Sequence, residues 1–275
     1  MNEVIINEIA VTLAVKLNQV TKTLDLLSEG NTIPFIARYR KEVTGSLNEE
    51  QIRKISEVYE YQMNLLKRKE DVIRLIDEKG LLTDELKNKI MEASKLVEVE
   101  DLYRPYKEKK KTKATEAIAC GLEPLAKMIM AQPTTGDIHS LTSKFLNEKV
   151  KTEEEAIIGA SYIIAEWISD NAFYRKWIRK QTFFNGMLIT KKKKNIEDEN
   201  KIYEMYYDYH ELVKHVKPHR VLAINRAESE KIITVTIDID KDVIYKYLED
   251  KIIKNHNSFV VSIIKNSITR RILSE

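Results

Sequence analysis

Apolar positions repeat with a helical period over most of the first 190 residues. After Ile52 come Ile55, Tyr59, Met63 and Leu66 at spacings of three and four, and Ile73 and Ile76 carry the stripe toward Gly80. A stripe of this kind is the buried face of an amphipathic helix. Ser46, with Glu49 three residues on, has the pattern of a capping box. One long helix is therefore predicted over residues 46–79, about 50 Å at 1.5 Å per residue. Upstream, residues 3–16 read as an amphipathic helix, followed by a second that ends at Gly30. Downstream, Thr83 precedes "DELKNKIMEASK", whose first turn holds Asp84 and Glu85, where the helix dipole favours acids. Thr152 and Glu155 repeat the capping pattern ahead of Ile157, Ala160, Ile164, Trp167 and Ile168, and "NAFYRKWIRKQTFF" extends the helical reading with Phe173, Trp177 and Phe184.

The period changes late in the chain. "IITVTIDI", residues 232–239, is rich in β-branched residues and partly alternating, which predicts a strand. Helical spacing resumes in "VIYKYLEDKIIK" and "FVVSIIKNSITRRIL". The expected fold is mainly α, with one long helix near 46–79 and a small β element near 232–239. "AQPTTGD" at 131–137 and "ITKKKKNIEDEN" at 189–200 are the expected loops, and the first divides the chain into helical domains of residues 1–130 and 131–275. One stretch, "NTIPFIARYRKEVTGSLNEEQ" at 31–51, reads as an elbow: Thr32 as N-cap, Pro34 in the first turn of a short helix, and Gly45 closing the segment. Ile33, Phe35, Ile36 and Tyr39 are expected to bury, leaving Arg38, Arg40 and Lys41 for neighbouring acids or a ligand.

Composition narrows this only a little. The 275 residues, 43% apolar and 32% charged, describe a folded chain with a real core, and seven Gly with five Pro favour long helices over many tight turns. The net charge of +3 is the difference of 46 cations and 43 anions. Affinity for nucleic acid must then come from local clustering. Cys120 is the single cysteine, which excludes an intrachain disulfide and suits a reducing compartment; its setting in "IACGL" marks a small core residue. The N-terminal segment lacks a basic leader, and no apolar run approaches the roughly 20 residues of a membrane span. A cytoplasmic location is expected.

Candidate chemistry is sparse. "HELVKH" imitates a zinc motif, but His210 and His215 are five apart, which on a helix separates them by about 140°. Asp238, Asp240, Asp242 and Glu249 fall at positions 1, 3, 5 and 12 of a calcium loop, yet Val243 stands where the sharp turn requires Gly. These acids are expected to cap the next helix. With no Gly-rich phosphate loop, no G-x-S-x-G and no supported Cys–His pair, the chain is expected to have no catalytic residue, metal or cofactor. The basic clusters remain. "YRPYKEKKKTKAT" carries Arg104, Lys107, Lys109, Lys110, Lys111 and Lys113 beside Tyr103 and Tyr106. Cations and aromatics so interleaved suit contacts to phosphates and bases, weak and indifferent to sequence. The run Lys191–Lys194, followed by acids, reads as a loop.

"IPFIARYRKEVTGSL", "VEDLYRPYKEKKKTKATEA" with "GLEPLA", and "HRVLAINR" together resemble, in order and spacing, the N-terminal half of the bacterial Tex transcription accessory proteins. The resemblance implies helix-turn-helix-like elements, a cytoplasmic location, and a non-enzymatic part in nucleic-acid binding beside the transcription machinery. The alternative is a scaffold that docks polymerase, ribosome or further domains without touching nucleic acid. Two departures stand out. Where the family usually has two glycines after the His-Arg helix, this chain has Ala227 and Lys231, so its helix end is expected to differ. The family also continues into a YqgF-like ribonuclease-H-type domain, helix-hairpin-helix elements and an S1 domain, which these 275 residues do not contain; the chain is expected to be one part, or a shortened form, of such a protein.

Overall fold

The computed structural model describes residues 2–108, 111–194, 196, 198 and 201–271. Among them the fold is mainly helical with one small sheet, in two compact units that divide at Tyr103 and Arg104.

The first unit is entirely helical. It holds α1 (Glu3–Thr12), α2 (Leu17–Ser28), α3 (Ile33–Tyr39), α4 (Lys41–Thr44), α5 (Glu49–Asp77), α6 (Asp84–Glu92) and α7 (Leu96–Tyr103). Its core joins Ile9 of α1, Val20 of α2, Ile36 of α3 and Ile52 and Ile55 of α5, each at most 1% exposed. The long helix is present, but it starts at Glu49 and is 29 residues, about 44 Å. Its cap is Asn48, whose side chain accepts from the Gln51 N–H while Gln51 returns a bond to the Asn48 N–H. Ser46 cannot serve: at φ 66° it continues the left-handed turn begun by Gly45 at φ 64°, whereas an N-cap needs extended backbone.

The elbow is confirmed and its burial corrected. Ile36 is fully buried, but Phe35 is only half-buried and Tyr39 is 62% exposed. A seven-residue helix turns one narrow face inward, so the Phe35 and Tyr39 rings meet each other at 5.3 Å on the surface instead. Gln19 of α2 fixes the turn, donating to the carbonyls of Thr44 (3.0 Å) and Gly45 (3.1 Å). A Cβ at Gly45 would lie 2.8 Å from that amide.

The second unit opens with a 3-10 turn at Arg104–Tyr106 and continues through α8 (Lys113–Ala119), α9 (Glu123–Met130), α10 (Ile138–Thr142), α11 (Glu153–Asp170) and α12 (Ala172–Asn185). Then come β1 (Met187–Lys192), β2 (Asp208–Leu212), α13 (Pro218–Ser229), β3 (Ile233–Asp238), α14 (Lys241–Ile252) and α15 (Val261–Arg271). α11 is the central helix, and Leu122, Leu125, Ile129, Ile164, Leu248 and Ile264 are buried together with it. Gly159 lets the backbone of α11 approach closely, since a Cβ there would meet Leu122 Cδ1 at 2.3 Å.

That core moves the expected domain division. α8 and α9, read from sequence as part of the first domain, bury Ala117, Leu125 and Ile129 in the second. "AQPTTGD" is not a linker between cores, because Gln132 donates to the carbonyl of Ile252 (2.8 Å) and accepts from the N–H groups of Lys254 (2.9 Å) and Asn255 (3.0 Å).

The sheet has the order β2-β1-β3, antiparallel throughout, with Ile189 opposite His210 on one side and Thr236 on the other. Only β3 was expected. "ITKKKKNIEDEN" instead begins inside the central strand, and "HELVKH" lies on β2 and a following 3-10 turn, so its histidines share no helix at all. Asp240 caps α14, accepting from the Asp242 N–H, as its position after a strand suggested.

Candidate nucleic-acid interface

The basic turn is held at both of its ends by one face of α11. At the N-terminal end Arg104 donates from Nε to Asp170 at 2.9 Å. At the other, the Thr112 hydroxyl donates to Glu166 at 3.2 Å and accepts from the Thr115 N–H to cap α8. Glu166 and Asp170 are one helical turn apart and 5% and 6% exposed. A buried carboxylate is stable only when hydrogen-bonded, so these two acids fix where the turn starts and stops. Arg104 is thereby used as a clamp.

Lys107 and Lys111, between the clamps, are exposed. Lys107 is exposed beside a cavity of about 540 Å³ bounded by Pro105, Thr115, Glu166 and Asp170. Lys111 forms a 3.3 Å ion pair with Glu116 in which both side chains are exposed, an arrangement worth at most about 1 kcal/mol. Lys113 donates to the Tyr162 hydroxyl at 3.3 Å and lies 5.0 Å from the ring centroid. Neither Lys107 nor Lys113 has a carboxylate partner among the described residues. Lys109 and Lys110 lie outside the described residues. Of the two aromatics, Tyr103 is 8% exposed, with Arg68 5.4 Å from its ring centroid, so it is not open to a base. Arg68 is itself held by Glu100 at 2.6 Å, which raises the guanidinium pKa first through that hydrogen bond.

Arg38, Arg40 and Lys41 belong to the first unit. Arg38 and Lys41 are exposed, and Arg40 donates to the Tyr39 carbonyl at 3.2 Å while its guanidinium sits 5.2 Å from the Phe35 centroid. They make a small cation–aromatic surface of the first unit. The lysine run 191–194 is also partly structural, with Lys192 4.4 Å from the Tyr207 ring centroid. Among the described residues no three of His, Cys, Asp and Glu are grouped to hold a metal ion, and no single helix is long and apolar enough to cross a membrane.

Sequence reading missed the residues that build the turn's frame. Glu166 and Asp170 carried a signal: two acids four apart inside the apolar run "IIGASYIIAEWISD" mark a buried clamp. Tyr162 carried none, because its partners come from remote segments.

The family described as Tex-like protein N-terminal domain matches residues 3–77, and Tex central region-like matches residues 134–265. The uncharacterized protein YdcI of Bacillus subtilis (strain 168) is 50% identical over 264 residues, covering 95% of this chain and 37% of that protein. The transcriptional accessory protein Tex of Neisseria gonorrhoeae is 34% identical over 224 residues, 82% of this chain and 30% of its own length. The human S1 RNA-binding domain-containing protein 1 is 29% identical over 229 residues, 79% of this chain and 22% of its own. The chain thus spans about a third of the length of the most similar of these relatives.

Proposed function

This chain belongs to the Tex family, and from that premise we propose that it is a non-enzymatic, cytoplasmic part of a transcription accessory protein whose basic turn helps hold nucleic acid by its phosphates. The observation that carries this reading is the turn itself: among the described residues Lys107 and Lys113 have no carboxylate partner, and the segment is clamped at Asp170 and Glu166. A fixed platform loses less conformational entropy on binding than a loose tail. The names of the relatives, which speak of transcription and of RNA binding, supply the nucleic acid. Lysine reads charge and not base edges, so binding is weak and indifferent to sequence, in the range of about 10⁻⁴–10⁻⁶ M at physiological salt.

Titration with single- and double-stranded RNA and DNA at several salt concentrations tests this. Each phosphate contact adds about 0.7–0.9 to the slope of log affinity against log salt. Changing Lys109, Lys110 and Lys111 together to Ala is expected to lower affinity and to flatten the slope by up to about two to three units, with the melting temperature nearly unchanged. Survival of both affinity and slope sinks the reading. The scaffold reading then leads, supported by Val4 (67% exposed) and Val11 (82%), seven residues apart on α1.

A further inference from the structure

Three helices of the second unit bring two cations to one phenol. Tyr162 sits on α11; Lys113 from α8 reaches its hydroxyl, and Arg270 from α15 places its guanidinium carbon 5.2 Å from the ring centroid. Lysine only donates hydrogen bonds, so the Tyr162 oxygen is the acceptor, and its own proton has no acceptor among the described residues. The acids nearby are committed elsewhere: Glu166 to Thr112, Glu116 to Lys111 and Glu249 to Lys265. Neither Lys113 nor Arg270 has a carboxylate within ion-pair distance among the described residues. With Thr112 these residues bound a cavity of about 240 Å³, below the roughly 300 Å³ at which sites for drug-sized molecules begin.

Among the described residues, two cations without a counter-ion and one O–H without an acceptor converge on a small open space. The missing partner is an anion with several acceptor oxygens. We propose that Lys113, Tyr162 and Arg270 form a phosphate-binding pocket that grips one phosphodiester of a nucleic acid. Arg270 offers the planar fork that matches phosphate oxygens, Lys113 a point charge, and Tyr162 the free hydroxyl proton. The electrostatics agree: the Tyr162 hydroxyl is drawn below its ordinary pKa, first by the hydrogen bond from Lys113, with the charges of Lys113 and Arg270 adding to it against the opposing effect of burial. The pocket stands on this geometry; only the identity of the phosphate's carrier rests on the function proposed above.

The test uses the 275-residue chain, inorganic phosphate followed by ³¹P NMR, and a single-stranded RNA oligonucleotide titrated at several salt concentrations. The wild type is expected to broaden the phosphate resonance, and Lys113→Ala/Arg270→Ala to abolish that broadening. The same double variant is expected to flatten the RNA salt slope by about 0.7, the loss of one phosphate contact. Tyr162→Phe, which keeps the ring and removes the proton, is expected to weaken phosphate binding in part. Phosphate and RNA curves that coincide in wild type and double variant overturn the pocket, even where RNA binding itself persists. Phosphate binding that depends on the two cations in a chain that takes up no RNA keeps the pocket and removes the nucleic acid. Both cations are exposed; if the double variant nevertheless loses its helical circular dichroism, Arg270→Glu alone repeats the test, with lost broadening supporting the pocket and unchanged broadening overturning it.

Discussion

Lys231 stands in left-handed backbone, φ 62°, at the end of α13. Its N–H donates to the Glu228 carbonyl at 2.9 Å, and the Ile232 N–H reaches back to Ala227 at 3.0 Å. The second of these, a six-to-one bond, closes the helix in the manner of a Schellman turn, whose left-handed position suits glycine. A side chain with a Cβ costs roughly 1–2 kcal/mol in that conformation. Lys231→Gly is therefore expected to raise the unfolding free energy by about 1 kcal/mol, read as a higher urea midpoint at unchanged slope. A lower midpoint would show that the lysine side chain contributes something its geometry does not reveal. The replacement of the family's glycine was legible in the sequence, and the altered helix end it implied is a strained turn. Ala227, the other departure, is fully buried against the small sheet's core, a role that favours a methyl group over none.

Elements were legible in proportion to how much of one face they bury. The stripe of α5 announced itself through Ile52, Ile55 and Ile76, all fully buried. β1 did not: in "MLITKK" only Thr190 is buried, and its lysines read as loop although the strand is the middle one of its sheet. β2, "DYHEL", buries no residue fully. A small solvated sheet is specified by backbone pairing and a few tyrosines, which leaves little hydrophobic pattern to read. Gln132 shows the same limit for loops. It holds a left-handed φ of 55° and, at 7% exposed, satisfies one carbonyl and two N–H groups beyond the end of α14. Nothing in "AQPTTGD" signals a partner some 120 residues away. A buried polar group left without its partner costs about 1–3 kcal/mol. Gln132→Ala is expected to lower the unfolding free energy by about 2–3 kcal/mol, since at least one of the three groups loses its bond without access to water. Unfolding by urea that matches the wild type would show that solvent replaces all three.

For the molecule as a whole, a net charge of +3 across 46 cations and 43 anions provides little field at a distance. With a Debye length of about 8 Å at physiological salt, only charges close to a phosphate act on it. Position is then decisive, and a comparison of two triple variants separates position from total charge. Lys109→Ala/Lys110→Ala/Lys111→Ala brings the net charge from +3 to 0, and so does Lys87→Ala/Lys95→Ala/Lys144→Ala, which removes three exposed lysines outside the turn. Lys87 lies on α6, Lys95 just before α7 and Lys144 just after α10, and none has an ion-pair partner among the described residues. If the turn binds phosphates through local contacts, only the first variant loses affinity and salt slope toward RNA, while the second tracks the wild type. Equal losses in both would mean that binding follows total charge, and the clamped turn would have no privileged part in it. Equal retention in both would move the search to the cations of the first unit, Arg38, Arg40 and Lys41, of which Arg38 on α3 and Lys41 on α4 are exposed and give the same measurement its next targets.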